Sequence, residues 1–96
     1  MIISFGDSAT ADLYQGRESH HTRRIPANIR RVMLRKLDVL NAAHSLTDLR
    51  EPPGNRLEAL KGDRLGFYSI RVNDQWRIVF SWESNNAYEV ELVDYH

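Results

Sequence analysis

Apolar residues recur along this chain with two different periods, and the change falls near Asn55. After Pro26, a residue suited to the first turn of a helix, Ile29, Met33, Leu37 and Leu40 recur at intervals of three and four. Val32 and Leu34 widen that stripe, while Arg31, Arg35 and Asp38 gather on the opposite side. This spacing predicts an amphipathic helix over the 18 residues that follow Pro26, with the stems of Arg30 and Lys36 lying along its apolar arc. A shorter helix is expected from a cap at Asp7 or Ser8 to Tyr14, closed by Gly16. Residues 1–5 read as a short apolar strand, 17–24 as a loop, and 42–56 as a connection ending in the rigid turn Pro52-Pro53-Gly54-Asn55.

From residue 57 onward the period is two. Strands are expected at 57–60, 67–72, 76–82 and 88–93. A hairpin loop of Asn73-Asp74-Gln75 sets Tyr68, Ile70 and Val72 on the same face as Phe80, Ile78 and Trp76; a loop one residue shorter would exchange the faces. Extending the pattern pairs Trp82, Phe80 and Ile78 with Tyr88, Val90 and Leu92. One apolar face then meets the helices. The other carries Phe67, Ser69, Arg71, Arg77, Val79, Ser81, Glu89 and Glu91, and on it Arg71 and Arg77 stand side by side. Two facing guanidiniums call for an anion, either a ligand or an internal carboxylate from Glu89 or Glu91. Trp76 and Trp82 read as core.

Composition narrows the class. The chain has 96 residues, suited to one domain, and no cysteine, so neither disulfides nor a thiolate zinc site organise it. No apolar run is long enough to span a bilayer, and the opening MIISFGDSATADLY lacks the basic start of a signal peptide, so a cytoplasmic protein without membrane contact is expected. Net charge is zero, with 13 basic and 13 acidic residues, but it is unevenly spread. Arg17, Arg23, Arg24, Arg30, Arg31, Arg35 and Lys36 face a single acid, Glu18, in one stretch, whereas 83–96 holds acids and no Lys or Arg. Such a segment is compatible with nucleic acid and equally with a solvated helix face.

The candidate chemistry concentrates in Asp94-Tyr95-His96, three groups able to move protons. No P-loop, dinucleotide fingerprint or G-x-S-x-G turn occurs, and no helix face carries metal-ligand spacing; the adjacent His20 and His21 read as exposed loop residues. The remaining inventory of Arg, Lys, Glu, Asp, Tyr and His fits metal-free phosphodiester transfer on RNA. In that reaction a base takes the 2′-hydroxyl proton, an acid protonates the leaving oxygen, and fixed cations stabilise the phosphorane.

Several runs resemble the HigB branch of the RelE/ParE toxin superfamily: Leu57-Glu58-Ala59-Leu60-Lys61-Gly62-Asp63, Gly66-Phe67-Tyr68-Ser69-Ile70-Arg71-Val72, Trp76-Arg77-Ile78-Val79-Phe80 and Val93-Asp94-Tyr95-His96. The opening Met1-Ile2-Ile3-Ser4-Phe5 and the Pro-Pro-Gly-Asn-Arg-Leu run are similar too. The resemblance implies an α+β fold, a small antiparallel sheet with two N-terminal helices packed on one face. It further implies a toxin that cleaves mRNA in the ribosomal A site without a cofactor, neutralised by a HigA-type helix-turn-helix antitoxin that brings it indirectly to operator DNA. Matched position by position, Lys61 and Arg77 take the place of phosphate-binding cations; Arg71 beside Arg77, and Arg23 and Arg24 in the basic 17–24 loop, are further candidate RNA contacts by charge and placement. Asp94, Tyr95 and His96 match the catalytic group. Glu58 stands where several relatives have a histidine, which shifts proton transfer toward His96. The alternative is a toxin that binds a protein target in the ParE manner, or one that serves mainly in an antitoxin–operator complex.

Overall fold

A computed structural model describes residues 1–95. Two helices, α1 (Ser8–Tyr14) and α2 (Ala27–Ala42), precede four strands, β1 (Glu58–Ala59), β2 (Phe67–Arg71), β3 (Trp76–Glu83) and β4 (Asn86–Asp94). The strands form one antiparallel sheet in chain order. Asp7 caps α1 by accepting the Thr10 amide at 2.9 Å, and Gly16 closes it at φ +75°. Pro26 sits one position before α2 rather than inside it. The expected stripe of α2 is its buried face: Met33, Leu37 and Leu40 are fully enclosed against Ile70, Ile78, Phe80 and Val90. Arg30 reaches back past the start of α2, donating to the Ile25 and Thr22 carbonyls at 3.1 and 2.6 Å. Lys36 donates to Oδ1 of buried Asn55, whose amide nitrogen holds the Leu49 and Glu51 carbonyls and so ties the 42–56 connection to α2.

The β2–β3 register matches the three-residue loop: Tyr68 faces Phe80, Ile70 faces Ile78, and Arg71 faces Arg77. The β3–β4 register holds for Ile78–Leu92 and Val79–Glu91 and then shifts, so that Ser81 faces Tyr88 and Trp82 faces Ala87. The expected Trp82–Tyr88 pairing is therefore overturned. Glu89, at φ +51°, is the extra residue of a bulge, and beyond it the two faces of β4 exchange. The bulge is sealed from outside by residues 1–6, which lie parallel to β4 as two isolated bridges rather than a full strand. Ser4 accepts the Glu89 amide through its hydroxyl at 2.9 Å and the Val90 amide through its carbonyl at 3.1 Å. Two other expectations change locally. The loop at 17–24 contains a 3-10 turn, Thr22–Arg24, and the His20 and His21 rings approach to 3.8 Å between centroids because no regular element separates them.

Candidate functional site

The sheet face turned away from the helices is built in rows across the strands. Phe67, Ser81 and Tyr88 form one; Glu58, Ser69, Val79 and Glu91 the next; Arg71, Arg77 and Val93 the third. Tyr95 continues beyond them, its amide donating to the Gln75 carbonyl at 2.6 Å, and it is exposed. By strand parity Tyr95 shares the face of Arg77.

Arg77 is the most constrained group here. Its Nε donates to the Ser69 hydroxyl at 2.8 Å and its Nη2 to the Arg56 carbonyl at 2.6 Å, while Glu58 Oε1 lies 3.8 Å from Nη2. Only 12% of the Arg77 side chain is exposed, against 60% for Glu58. The Arg56 carbonyl reaches this position because Arg56 adopts φ +46° at the end of the Pro53–Asn55 turn. One edge of a planar cation is thereby fixed from below, and the guanidinium cannot swing freely between rotamers.

Arg71 and Arg77 are cross-strand partners, yet their guanidiniums part. Arg71 pairs with Asp74 in the hairpin loop, and Arg77 turns toward β1. The expectation that an anion must separate them is overturned, since each finds its own protein acceptors. Neither Glu89 nor Glu91 is the internal partner; Glu91 binds Arg64 at 3.1 Å. Positive potential still accumulates nearby. Burial lowers the Lys36 pKa below its ordinary value, and the charges of Arg35 and Arg71 lower it further.

The end of β4 straddles the sheet. Asp94 lies opposite Trp76, on the helix side, and accepts Gln75 Nε2 at 3.1 Å. It lines a cleft of about 310 Å³ with Asp7, Arg24, Ile25, Trp76 and Leu92. Arg24 is thus brought beside Asp94 rather than beside Arg77, and Arg23 is exposed in the same turn. Trp76, read as core, lines this cleft, and among the described residues its Nε1 is buried without a hydrogen-bond partner. Lys61 is exposed just after β1, ahead of the Gly62–Arg64 turn. The expectation for His96 lies outside the described residues. Sequence reasoning missed Ser69, Arg56 and Arg64. Ser69 was legible only as a small polar residue on the face of Arg77, and its burial came from the fold; nothing local marks a carbonyl or a loop arginine. Among the described residues no three His, Asp or Glu side chains converge as a metal site, and no helix is long and apolar enough to cross a membrane.

Helix pair and sheet order together define a RelE-like α+β protein. The same fold is found in the YoeB–YefM complex from Staphylococcus aureus, with a TM-score of 0.62 at 17% identity over 100% of this chain and 98% of that one. Within that class the chain belongs to the HigB-like toxins, described as RelE-like toxins of type II toxin-antitoxin systems, whose family model matches residues 3–96. It is 44% identical to Toxin HigB-1 of Vibrio cholerae over 92 residues, 96% of this chain and 95% of the relative. It is 39% identical to Endoribonuclease HigB of Proteus vulgaris over 61 residues, 62% of this chain and 66% of that protein.

Proposed function

We propose that this toxin is a ribosome-dependent endoribonuclease that cleaves mRNA and so inhibits translation. The observation that carries the reading is the Arg77 guanidinium, held by Ser69 and the Arg56 carbonyl on the sheet face turned away from the helices, the face that strand parity also gives to Tyr95. A cation fixed before substrate arrives stabilises charge developing on a phosphorane without reorganising in the reaction. Lys61 and Arg71 supplement it, with Arg23 and Arg24 holding RNA outside the reaction centre. The 2′-hydroxyl attacks the adjacent phosphorus, its proton passing to a base, and the P–O5′ bond breaks as an acid protonates the leaving oxygen. The products are a 2′,3′-cyclic phosphate and a 5′-hydroxyl. Glu58, Asp94, Tyr95 and His96 are the proton-transfer candidates, and no cofactor enters the scheme. The name of the Proteus relative supports the nuclease activity.

The working compartment is the cytoplasm, where ribosome and mRNA are met. A HigA-type helix-turn-helix antitoxin is the neutralising partner, and it links the toxin indirectly to operator DNA; the toxin-antitoxin complex of the Staphylococcus neighbour supports an antitoxin partner. The test is expression in a translating extract with mapping of mRNA 5′ ends. Wild type produces new ends inside the reading frame and Arg77→Ala does not, at equal folded concentration. Intact mRNA with translation continuing overturns the reading. Arrested growth with intact mRNA, insensitive to Asp94→Asn combined with His96→Gln, selects the protein-binding toxin instead.

A further inference from the structure

The bulge at Glu89 turns Tyr88 out of the core and onto the face that carries Arg77. Tyr88 stands opposite Ser81, which stands opposite Phe67, so two aromatic side chains flank one small residue across three strands. Both are half-buried, and neither packs against the main apolar cluster that takes in Tyr68, Phe80, Trp76 and Trp82. The Arg64 guanidinium lies 5.7 Å from the centre of the Phe67 ring and is anchored to Glu91 at 3.1 Å, with 47% of its side chain exposed. Flat π surfaces beside an anchored guanidinium are the groups on which unpaired bases stack. A half-buried aromatic on a sheet face is often only packing; here the rings share their face with Arg77 and Arg71, cations suited to a phosphate chain.

Spacing agrees with a continuous strand of RNA. Ser81 is four residues from Arg77 along β3, or roughly 14 Å at about 3.4 Å per residue. Neighbouring nucleotides are about 3.4 Å apart when stacked and roughly twice that when extended. We propose that Arg64, Phe67 and Tyr88 form a stacking subsite for a nucleobase of single-stranded RNA, about two extended nucleotides from the phosphate at Arg77. This rests on the RNA-cleaving reading above and names where the substrate continues beyond the reaction centre. Because every base has a π face, the subsite adds affinity without strong sequence preference.

The experiment uses the full chain and labelled 2′-O-methyl RNA, which lacks the attacking hydroxyl, in fluorescence anisotropy. A nonanucleotide reaches from Arg77 to Tyr88 and a trinucleotide centred on Arg77 does not. Tyr88→Ala should weaken the nonanucleotide about 5- to 150-fold and leave the trinucleotide within about twofold, while Tyr88→Phe keeps wild-type binding. Arg64→Gln should weaken the nonanucleotide selectively as well. Tyr88→Leu, which retains bulk, replaces the alanine variant if that fails to fold. Nonanucleotide affinity unchanged in Tyr88→Leu and Arg64→Gln, or equal loss for both lengths, overturns the subsite while leaving the cleavage reading standing. A wild-type protein that binds neither RNA overturns the subsite, and one that also leaves mRNA intact in the extract overturns both.

Discussion

Ser69→Ala should be among the most damaging small substitutions on the sheet face turned away from the helices. Ser69 is fully buried, and its hydroxyl is the acceptor for Arg77 Nε at 2.8 Å. Removing one oxygen leaves a cationic donor facing a methyl group inside a site where the arginine is only 12% exposed. Hydrogen bonds to charged groups contribute about 1.5–3 kcal/mol, and an unsatisfied buried donor costs a similar amount. The Arg56 carbonyl still holds Nη2, so the lower half of that range, about 1.5–2 kcal/mol, is expected. For a domain of this size that lowers Tm by about 6–16 °C. Glu58→Gln provides the contrast. Its carboxylate is 3.8 Å from Arg77 and 60% exposed, so solvent screens the pair to about 0–1 kcal/mol. Urea unfolding with an unchanged slope measures both. The reasoning is refuted if Ser69→Ala costs less than about 0.5 kcal/mol, or if Glu58→Gln costs as much as Ser69→Ala. In the mRNA assay, at concentrations where both variants are folded, Ser69→Ala should weaken cleavage because Arg77 keeps the Arg56 carbonyl at Nη2 but loses the acceptor that fixes Nε.

The bulge and its seal yield further outcomes. A Cβ on Gly6 would meet the Glu89 carbonyl oxygen at 2.9 Å and Glu91 Cβ at 3.3 Å; Gly6→Ala should cost about 1–3 kcal/mol in chemical denaturation, since paired backbone cannot yield. At Glu89, φ +51°, Glu89→Gly should be neutral or stabilising and Glu89→Val destabilising by about 1–2 kcal/mol, compared by thermal melting. The Tyr14 phenol is raised above its ordinary 10.0 by burial, by the Asp38 charge and by a hydrogen bond donated to Asp38. The folded state keeps that proton where the unfolded state has lost it, so stability falls as pH rises past 10.0. Wild type should therefore lose stability relative to Tyr14→Phe between pH 8 and pH 11 in urea titrations. Lys36 acts with the opposite sign, its lowered pKa making stability rise toward 10.5, and it is common to both proteins.

Much of the architecture was legible in residue order because periodicity is local. The 3.6-residue stripe of Met33, Leu37 and Leu40 has one way to be buried, and alternation around Asn73-Asp74-Gln75 admits one register without exposing Ile70 and Ile78. The facing of Arg71 and Arg77 followed from that register. Their parting did not, because rotamers answer to whichever acceptors the fold brings up: Asp74, three residues on in the hairpin loop, for Arg71, and for Arg77 the Arg56 carbonyl of a left-handed residue 21 positions away. Tyr88 makes the same point. Its parity along β4 assigns it to the core, and a strand counted alone has no reason to slip. The slip occurs where β4 has two neighbours, β3 on one side and residues 1–6 on the other, with Ser4 engaging the amides of Glu89 and Val90. Residue order by itself determined which side chains want burial and which elements they form, since those are properties of near neighbours. Tertiary structure decided which polar atoms meet and which face Tyr88 serves, since hydrogen-bond partners and bulges depend on backbone brought from more than 80 residues away.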